Sequence, residues 1–236
     1  MKWRVRLDKQ ARRQIIVPSR MQHKINLNQL YDSMRIDATH IFVEIVVESY
    51  AQVVVSVVGV AHRKTYDIIV RLYDHAVCNQ VINTLPNTLL HFKASYRLQG
   101  YGSLLTIGGL TESGSGDVHR IETEQIHCGV STKSNVELAS IVDAGGTCDY
   151  DGLIRIVHGA KQTQALQNHR VLLLEKTAHA SSHPCLEINE NNVVCSHASS
   201  FSYLDPLELW ALESKGIEPS VARCALIQGF RDQFKK

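Results

Sequence analysis

Cys195 and His197 stand two apart in the stretch Asn192–Ser200, which reads NVVCSHASS. On an extended strand, residues i and i+2 project from the same face with backbones about 6.5–7 Å apart. Thiol and imidazole then point together, and Ser196 points away. Thiolate and imidazole are soft to borderline donors suited to iron, zinc or copper. A closed metal site takes four donors, so on these residues alone a core thiol beside a surface imidazole is the favoured reading. Further donors lie close in sequence. His169, His179, His183 and His197 all fall in the C-terminal third, and the spacing of four between His179 and His183 puts them on one face of a strand. Cys185, followed by Leu186, Glu187 and Ile188, is predicted to start a strand half inside the core.

The six cysteines, at 78, 128, 148, 185, 195 and 224, form no CxxC pair, so they match neither a zinc ribbon nor a small disulfide scaffold. Reduced thiols in the cytoplasm are expected, mostly buried as small hydrophobes, with Cys128, Cys148 and Cys224 structural. The chain has no GxxxxGK[ST] for a P-loop, no GxGxxG and no GxSxG. Nothing here points to an enzyme. The formal net charge of +2 does not suggest dedicated nucleic-acid binding, and no apolar run reaches the roughly 18 residues of a membrane span.

The elements that must position these donors read as strands. Hydrophobic residues make up 44% of the chain but aromatics only 6%, so Val, Ile and Leu supply the core. The basic N-terminus MKWRVRLDKQ alternates, with Trp3, Val5 and Leu7 on one face and Lys2, Arg4 and Arg6 on the other, which predicts a half-buried strand with a basic outer face. β-Branched runs recur at HIFVEIVVES, KTYDIIVRLY, LLHFKASYRL, SLLTIGGL, VELASIV, GLIRIV, RVLLLE, CLEI and NVVCS. The turn patches TESGSGD, DAGG, VHGAK, EKTA and NENN separate the later ones. Successive turns at Asp143, His158, Glu175 and Asn189 lie 15, 17 and 14 residues apart, with no helical pattern between them. Asp151-Gly152 is the one two-residue hairpin signal, which speaks against a sandwich. Recurring strand–turn units suit a β-helix, in which each rung buries its inner face against its neighbours.

Past residue 204 the pattern changes to helix. Asp205 is a predicted N-cap, Pro206 stands at the first helical position, and Gly216 is a stop. Pro219 then opens a second helix with apolar Val221, Ala222, Ala225, Leu226 and Phe230. The division expected is a β-helix core over 1–204 and a helical segment over 205–236, its hairpin capping the strand stack and offering an apolar face to a partner.

From Gly159 to Phe230 the sequence resembles the signature region of the SufB/SufD family of iron–sulfur cluster assembly proteins. The matching elements, in order, are GA..T.A.Q..R.LLL, P.LEI, V.CSH, LD..EL..L.S.GI and A...LI.GF. The resemblance is closer to the SufD type, because CSH replaces the glutamate–histidine–glutamate run of SufB-type chains. It implies an all-β core built as a right-handed parallel β-helix, with a C-terminal helical hairpin. It also implies a scaffold role beside a SufC-type ATPase and a SufB-type subunit, or a second copy of the chain. His197 matches the SufD-type interface histidine, Cys195 lies beside it, and His169 falls where SufB-type chains place an interface cysteine. These residues are the expected ligands of a transient iron–sulfur cluster, with no tightly bound cofactor. The hairpin, with Asp205, Leu209, Trp210, Gly216 and Ile217, is the expected ATPase-docking surface. The alternative is a non-catalytic β-helix subunit that stabilises the assembly and holds no cluster. Two departures stand out: ASSFS replaces the usual GATVG after CSH, and the chain stops soon after GF.

Overall fold

Alternating apolar residues in β-branched runs can bury one face of each strand and leave the other to water. The computed structural model describes residues 4–7, 13–32, 40–58 and 62–234, and there this alternation builds a two-sided solenoid. Its first elements are β1 (Arg4–Leu7), β2 (Arg13–Val17), β3 (Gln22–Asn26), the short helix α1 (Leu27–Asp32), β4 (His40–Val47) and β5 (Gln52–Val58). Then come β6 (His62–Leu72), β7 (Val77–Asn83), β8 (Thr88–Leu98), β9 (Leu104–Ser113) and β10 (Val118–His127). The last strands are β11 (Lys133–Val142), β12 (Thr147–Ile156), β13 (Thr163–Leu173), β14 (His179–Ile188) and β15 (Val193–Tyr203), followed by α2 (Pro206–Glu213) and α3 (Pro219–Asp232).

The even-numbered strands from β2 to β14 form one parallel sheet, with β1 added antiparallel at its edge, and the odd-numbered strands from β3 to β15 form the other. Every rung therefore contributes one strand to each sheet. Partners in neighbouring rungs are between 25 residues apart (His40 to Thr65) and 32 apart (Thr147 to His179). The 15-, 17- and 14-residue turn spacings are half-rungs of this repeat. The strand expected at the N-terminus is present as β1, while its expected facing, Trp3, Val5 and Leu7 against Lys2, Arg4 and Arg6, lies outside the described residues.

The inner rows stack into columns. On β8, Leu90, Phe92, Ala94, Tyr96 and Leu98 are buried while the residues between them face out. Burying each leucine or phenylalanine of such a row contributes about 1.5–3 kcal/mol. The interior is aliphatic in the early rungs and polar in the later ones, where His119, Gln125, His127, Ser140, Gln167 and His169 are all buried. Asp151-Gly152 is no hairpin and lies within β12. Gly152 faces inward there, and a Cβ would come within 2.0 Å of the Gln167 Nε2 atom, so glycine makes room for the amide.

One corner holds the rungs in step. Arg20, Tyr50, His75, Gly102, Ser131 and Gln162, each between an even strand and the next odd one, all have left-handed φ of 55–63°. The backbone N–H of Tyr50 donates to the carbonyl of Asp74, His75 to Tyr101, Gly102 to Val130, Ser131 to Lys161 and Gln162 to Asn192, at 2.6–3.0 Å. The ladder thus continues around the bend. Rings stack along it too, Tyr50 on His75 at 5.0 Å and His75 against Tyr101 at 5.3 Å.

The ends differ. At the start, α1 tucks in Asn28, whose amide donates to the Val58 carbonyl at 2.7 Å and whose oxygen accepts from the Tyr66 hydroxyl. Six residues are too few for the helical period to show in sequence. At the other end β14 and β15 are edge strands. The helical hairpin does not cap that end. Instead α3 lies on the outer face of the odd-strand sheet, where Ile227 and Phe230 pack on Leu110, Ile141 and Leu172. Arg231 clamps it through two bonds to Glu112, at 2.9 and 2.6 Å.

Candidate functional site

Cys195 and His197 lie on β15, in the row that continues the interior columns. Cys195 is the register partner of Ala165, His197 of Gln167, and Ser199 of His169. Ala165, Gln167 and His169 are buried on the inner face of β13, so the β15 residues opposite them face the same way. Among the described residues no later strand covers β15, which leaves His197 exposed and Cys195 half-buried. Cys195 packs on Ile154, Ile156, Ala160 and Ala165. Burial pushes its thiol pKa up, partly opposed by a backbone hydrogen bond at Ala165.

His169 sits one rung deeper and two residues along. It is buried, with Nε2 2.9 Å from Ser140 Oγ and Nδ1 3.1 Å from Ser182 Oγ, and its ring lies 4.7 Å from Tyr150. The buried Cys148 thiol donates to the same Ser140 at 3.2 Å. Burial pushes the His169 pKa down to about 4, which keeps the imidazole neutral at pH 7 with one nitrogen donating and the other accepting. The structure thus brings Cys195 and His197 together on the open row and places His169 behind them in a hydroxyl cage. Ser140, Ser182 and Tyr150 carry no local sequence signal, because they meet His169 only through stacking of the rungs.

The other cysteines divide differently from expectation. Cys78 and Cys148 are buried, but Cys128, Cys185 and Cys224 are exposed, and none forms a disulfide among the described residues. Cys185 sits inside β14 and faces outward, because Pro184 and Leu186 occupy the inner row opposite Gly152 and Ile154. His179 and His183 do share that outer face, and both are exposed. No group of three His, Cys, Asp or Glu is gathered into a metal site among the described residues.

β15 runs directly into the helices. Asp205 caps α2 by accepting from the Leu207 N–H at 2.8 Å, and Gly216 ends the hairpin's first arm at φ +81°. Leu209 and Ile217 are half-buried, whereas Trp210 is 67% exposed and α2 buries no residue completely. Phe201, Tyr203 and Leu207, at the end of β15 and the start of α2, are also exposed. No helix among the described residues is long and apolar enough to cross a membrane.

Residues 8–230 match the family model described as SUF system FeS cluster assembly, SufBD core domain. The chain belongs to the SufB/SufD family. Within it the chain is SufD-like: it is 32% identical over 108 residues to the iron–sulfur cluster assembly protein SufD of Bacillus subtilis, covering 46% of this chain and 25% of that one. It is 28% identical over 146 residues to SufD of Escherichia coli, covering 62% of this chain and 34% of the other. It is 36% identical over 90 residues to the chloroplastic protein ABCI7 of Arabidopsis thaliana, covering 38% and 19%. The chain thus spans about a third or less of the length of these relatives.

Proposed function

We propose that this SufD-like chain is a scaffold subunit for iron–sulfur cluster assembly and contributes interface ligands to a nascent cluster. The observation that supports this best is the open row of β15, which turns Cys195 and His197 toward the uncovered end of the solenoid. The cluster is cargo, not a resident cofactor. Two donors fall short of the four that a closed site takes, so a second subunit supplies the rest, either a SufB-type chain or another copy of this one. The unpaired edges of β14 and β15 offer N–H and C=O groups to that subunit, and strand addition is the ordinary way such edges are satisfied.

Cys195 ligates as thiolate, and the attraction of the metal for sulfur offsets the upward push of burial on its pKa. His197 ligates through one imidazole nitrogen, a borderline donor beside the soft thiolate. Such mixed ligation suits a cluster that must be held and then released. The hairpin with Asp205, Leu209, Trp210, Gly216 and Ile217 docks a SufC-type ATPase, whose nucleotide cycle moves the two scaffolds relative to each other. The chain itself is a non-catalytic subunit of the cytoplasm.

The packing of Cys195 on Ile154, Ile156 and Ala165 favours a rival, a stabilising subunit that holds no cluster. Anaerobic reconstitution with candidate partner subunits separates the two readings through iron and acid-labile sulfide. His197→Ala is expected to lower cluster yield several-fold with an unchanged melting temperature, since His197 is exposed. An unchanged yield in the Cys195→Ser, His197→Ala double variant, with the complex intact, selects the rival.

A further inference from the structure

The outer face of the even-strand sheet carries a groove that the scaffold reading leaves unused. The space measures ≈ 630 Å³ and is lined, among the described residues, by β6, β8, β10, β12 and β14 alone. Outward residues of these strands stand in rows across the ladder. Ile69, Ser95, Glu124, Leu153 and Cys185 are successive register partners and form the floor, with Ile69 and Leu153 half-buried. Asp67, Lys93, Glu122 and Asp151 form the next row along one rim, and Arg97 and Glu187 stand on the other.

Five carboxylates line this groove against the two cations Lys93 and Arg97. Three of the five are already matched: Glu122 lies 3.3 Å from Lys93, and Arg155 bridges Glu124 and Glu187 at 3.0 and 2.6 Å. Asp67 and Asp151 make no ion pair with another described residue, so their charge is open to a ligand. They stand on β6 and β12, three strand steps or about 14 Å apart, and Ile69 and Leu153 repeat that spacing one row away. An extended chain rises about 3.3 Å per residue and turns alternate side chains to opposite sides. Laid across the strands between the two rows, it brings cations at positions i and i+4 to the two aspartates, while apolar residues at i+1 and i+5 fall on Ile69 and Leu153. The formal charge of the whole chain is +2, so a cationic ligand is drawn to this face by its local charge alone.

We propose that the groove docks a basic, partly apolar segment of a partner protein, held as an extended chain with lysine or arginine four residues apart and a leucine-sized residue after each. The inference stands apart from the scaffold reading, because it requires neither a cluster nor a second scaffold subunit.

The labelled peptide Lys-Leu-Ala-Ala-Lys-Leu, titrated with the reduced full chain and followed by fluorescence anisotropy, tests it. Saturable binding is expected, weakening several-fold as salt rises from about 0.01 to 0.15 M. Asp67→Asn with Asp151→Asn removes two solvent-facing ion pairs and should weaken binding roughly fivefold at unchanged melting temperature. Arg97→Glu should tighten it at least twofold, a gain that damage to the fold does not produce. The rearranged peptide Lys-Lys-Leu-Leu-Ala-Ala and the acidic peptide Glu-Leu-Ala-Ala-Glu-Leu should both bind more weakly. No saturable binding, equal binding of either control peptide, undiminished binding in the aspartate double variant, or no gain in Arg97→Glu would each overturn the proposal.

Discussion

Acidifying from pH 7 to pH 5 should destabilise the solenoid through imidazoles sealed inside it. His127 is fully buried, with Nδ1 2.8 Å from Thr132 Oγ1 and Nε2 2.9 Å from Ser134 Oγ. Burial pushes its pKa down to about 4, as it does that of His169, and it moves His119 the same way. Unfolding returns each imidazole to about 6.5. Below that value the unfolded chain binds a proton that the folded chain refuses. Stability is therefore complete above about pH 6.5, falls as the pH drops toward 4, and levels off once the folded imidazole also protonates. At about 1.4 kcal/mol per pKa unit, each of His127 and His169 costs about 2 kcal/mol at pH 5. Their combined loss of about 4 kcal/mol is a large share of the 5–15 kcal/mol typical of a folded protein. Urea unfolding at pH 7, 6 and 5 measures the slope. His127→Gln keeps a donor and an acceptor for the two hydroxyls but cannot titrate. The variant should start less stable at pH 7 and lose about 2 kcal/mol less than the wild type between pH 7 and 5. An unchanged slope would refute the reasoning, because His127 would then titrate as a solvated imidazole.

Two adjacent glycines should behave oppositely. A Cβ on Gly109 meets the Ile82 carbonyl oxygen at 1.9 Å, so Gly109→Ala is expected to cost about 3 kcal/mol or more. Gly108→Ala meets nothing nearer than 3.9 Å and should be neutral or stabilising by about 0.5 kcal/mol; comparison of the two melting temperatures decides. Arg231→Ala leaves Glu112, with a side chain only 14% exposed, without its two-bond partner. A loss of about 1–2 kcal/mol and earlier proteolysis within α3 are expected, and an unchanged digestion pattern would show that the apolar contacts alone hold the helix. Trp210→Glu should leave the melting temperature within about 1 °C of wild type, since Trp210 is largely exposed, while abolishing pull-down of a SufC-type ATPase. Retained binding would move the docking surface elsewhere.

Strand content is legible in this sequence because β-branched alternation is a local property, and the half-rung spacing was present in the turns at Asp143, His158, Glu175 and Asn189. Strand phase is legible only where both faces differ. In HASSHPCLEI the residues are mixed on both faces, so the outward turn of Cys185 follows from its register with β12 and not from its own neighbours. The amphipathic α3 announces an apolar face but not the surface it meets, which is why the outer sheet, and not the open end, receives it. The pairing of Cys195 with His197 needs only the strand period and is readable. The cage around His169 is not, because Ser140 and Ser182 lie 29 and 13 residues away in sequence. The left-handed corner at Tyr50 is hidden too, as tyrosine is not a residue type that favours that conformation.

That corner makes loop length a free variable. Its hydrogen bonds recur at one place in each rung, so register survives while the chain between partner residues varies from 25 to 32. Extra residues are absorbed where the backbone bulges from the bend, as at His158 and the exposed Gly159, around which a Cβ would meet nothing within 4 Å. A spectroscopic label or affinity tag spliced in at Gly159 is expected to leave the strands undisturbed, giving a reporter on the same rung as β12 and β13, one step from the edge strands β14 and β15.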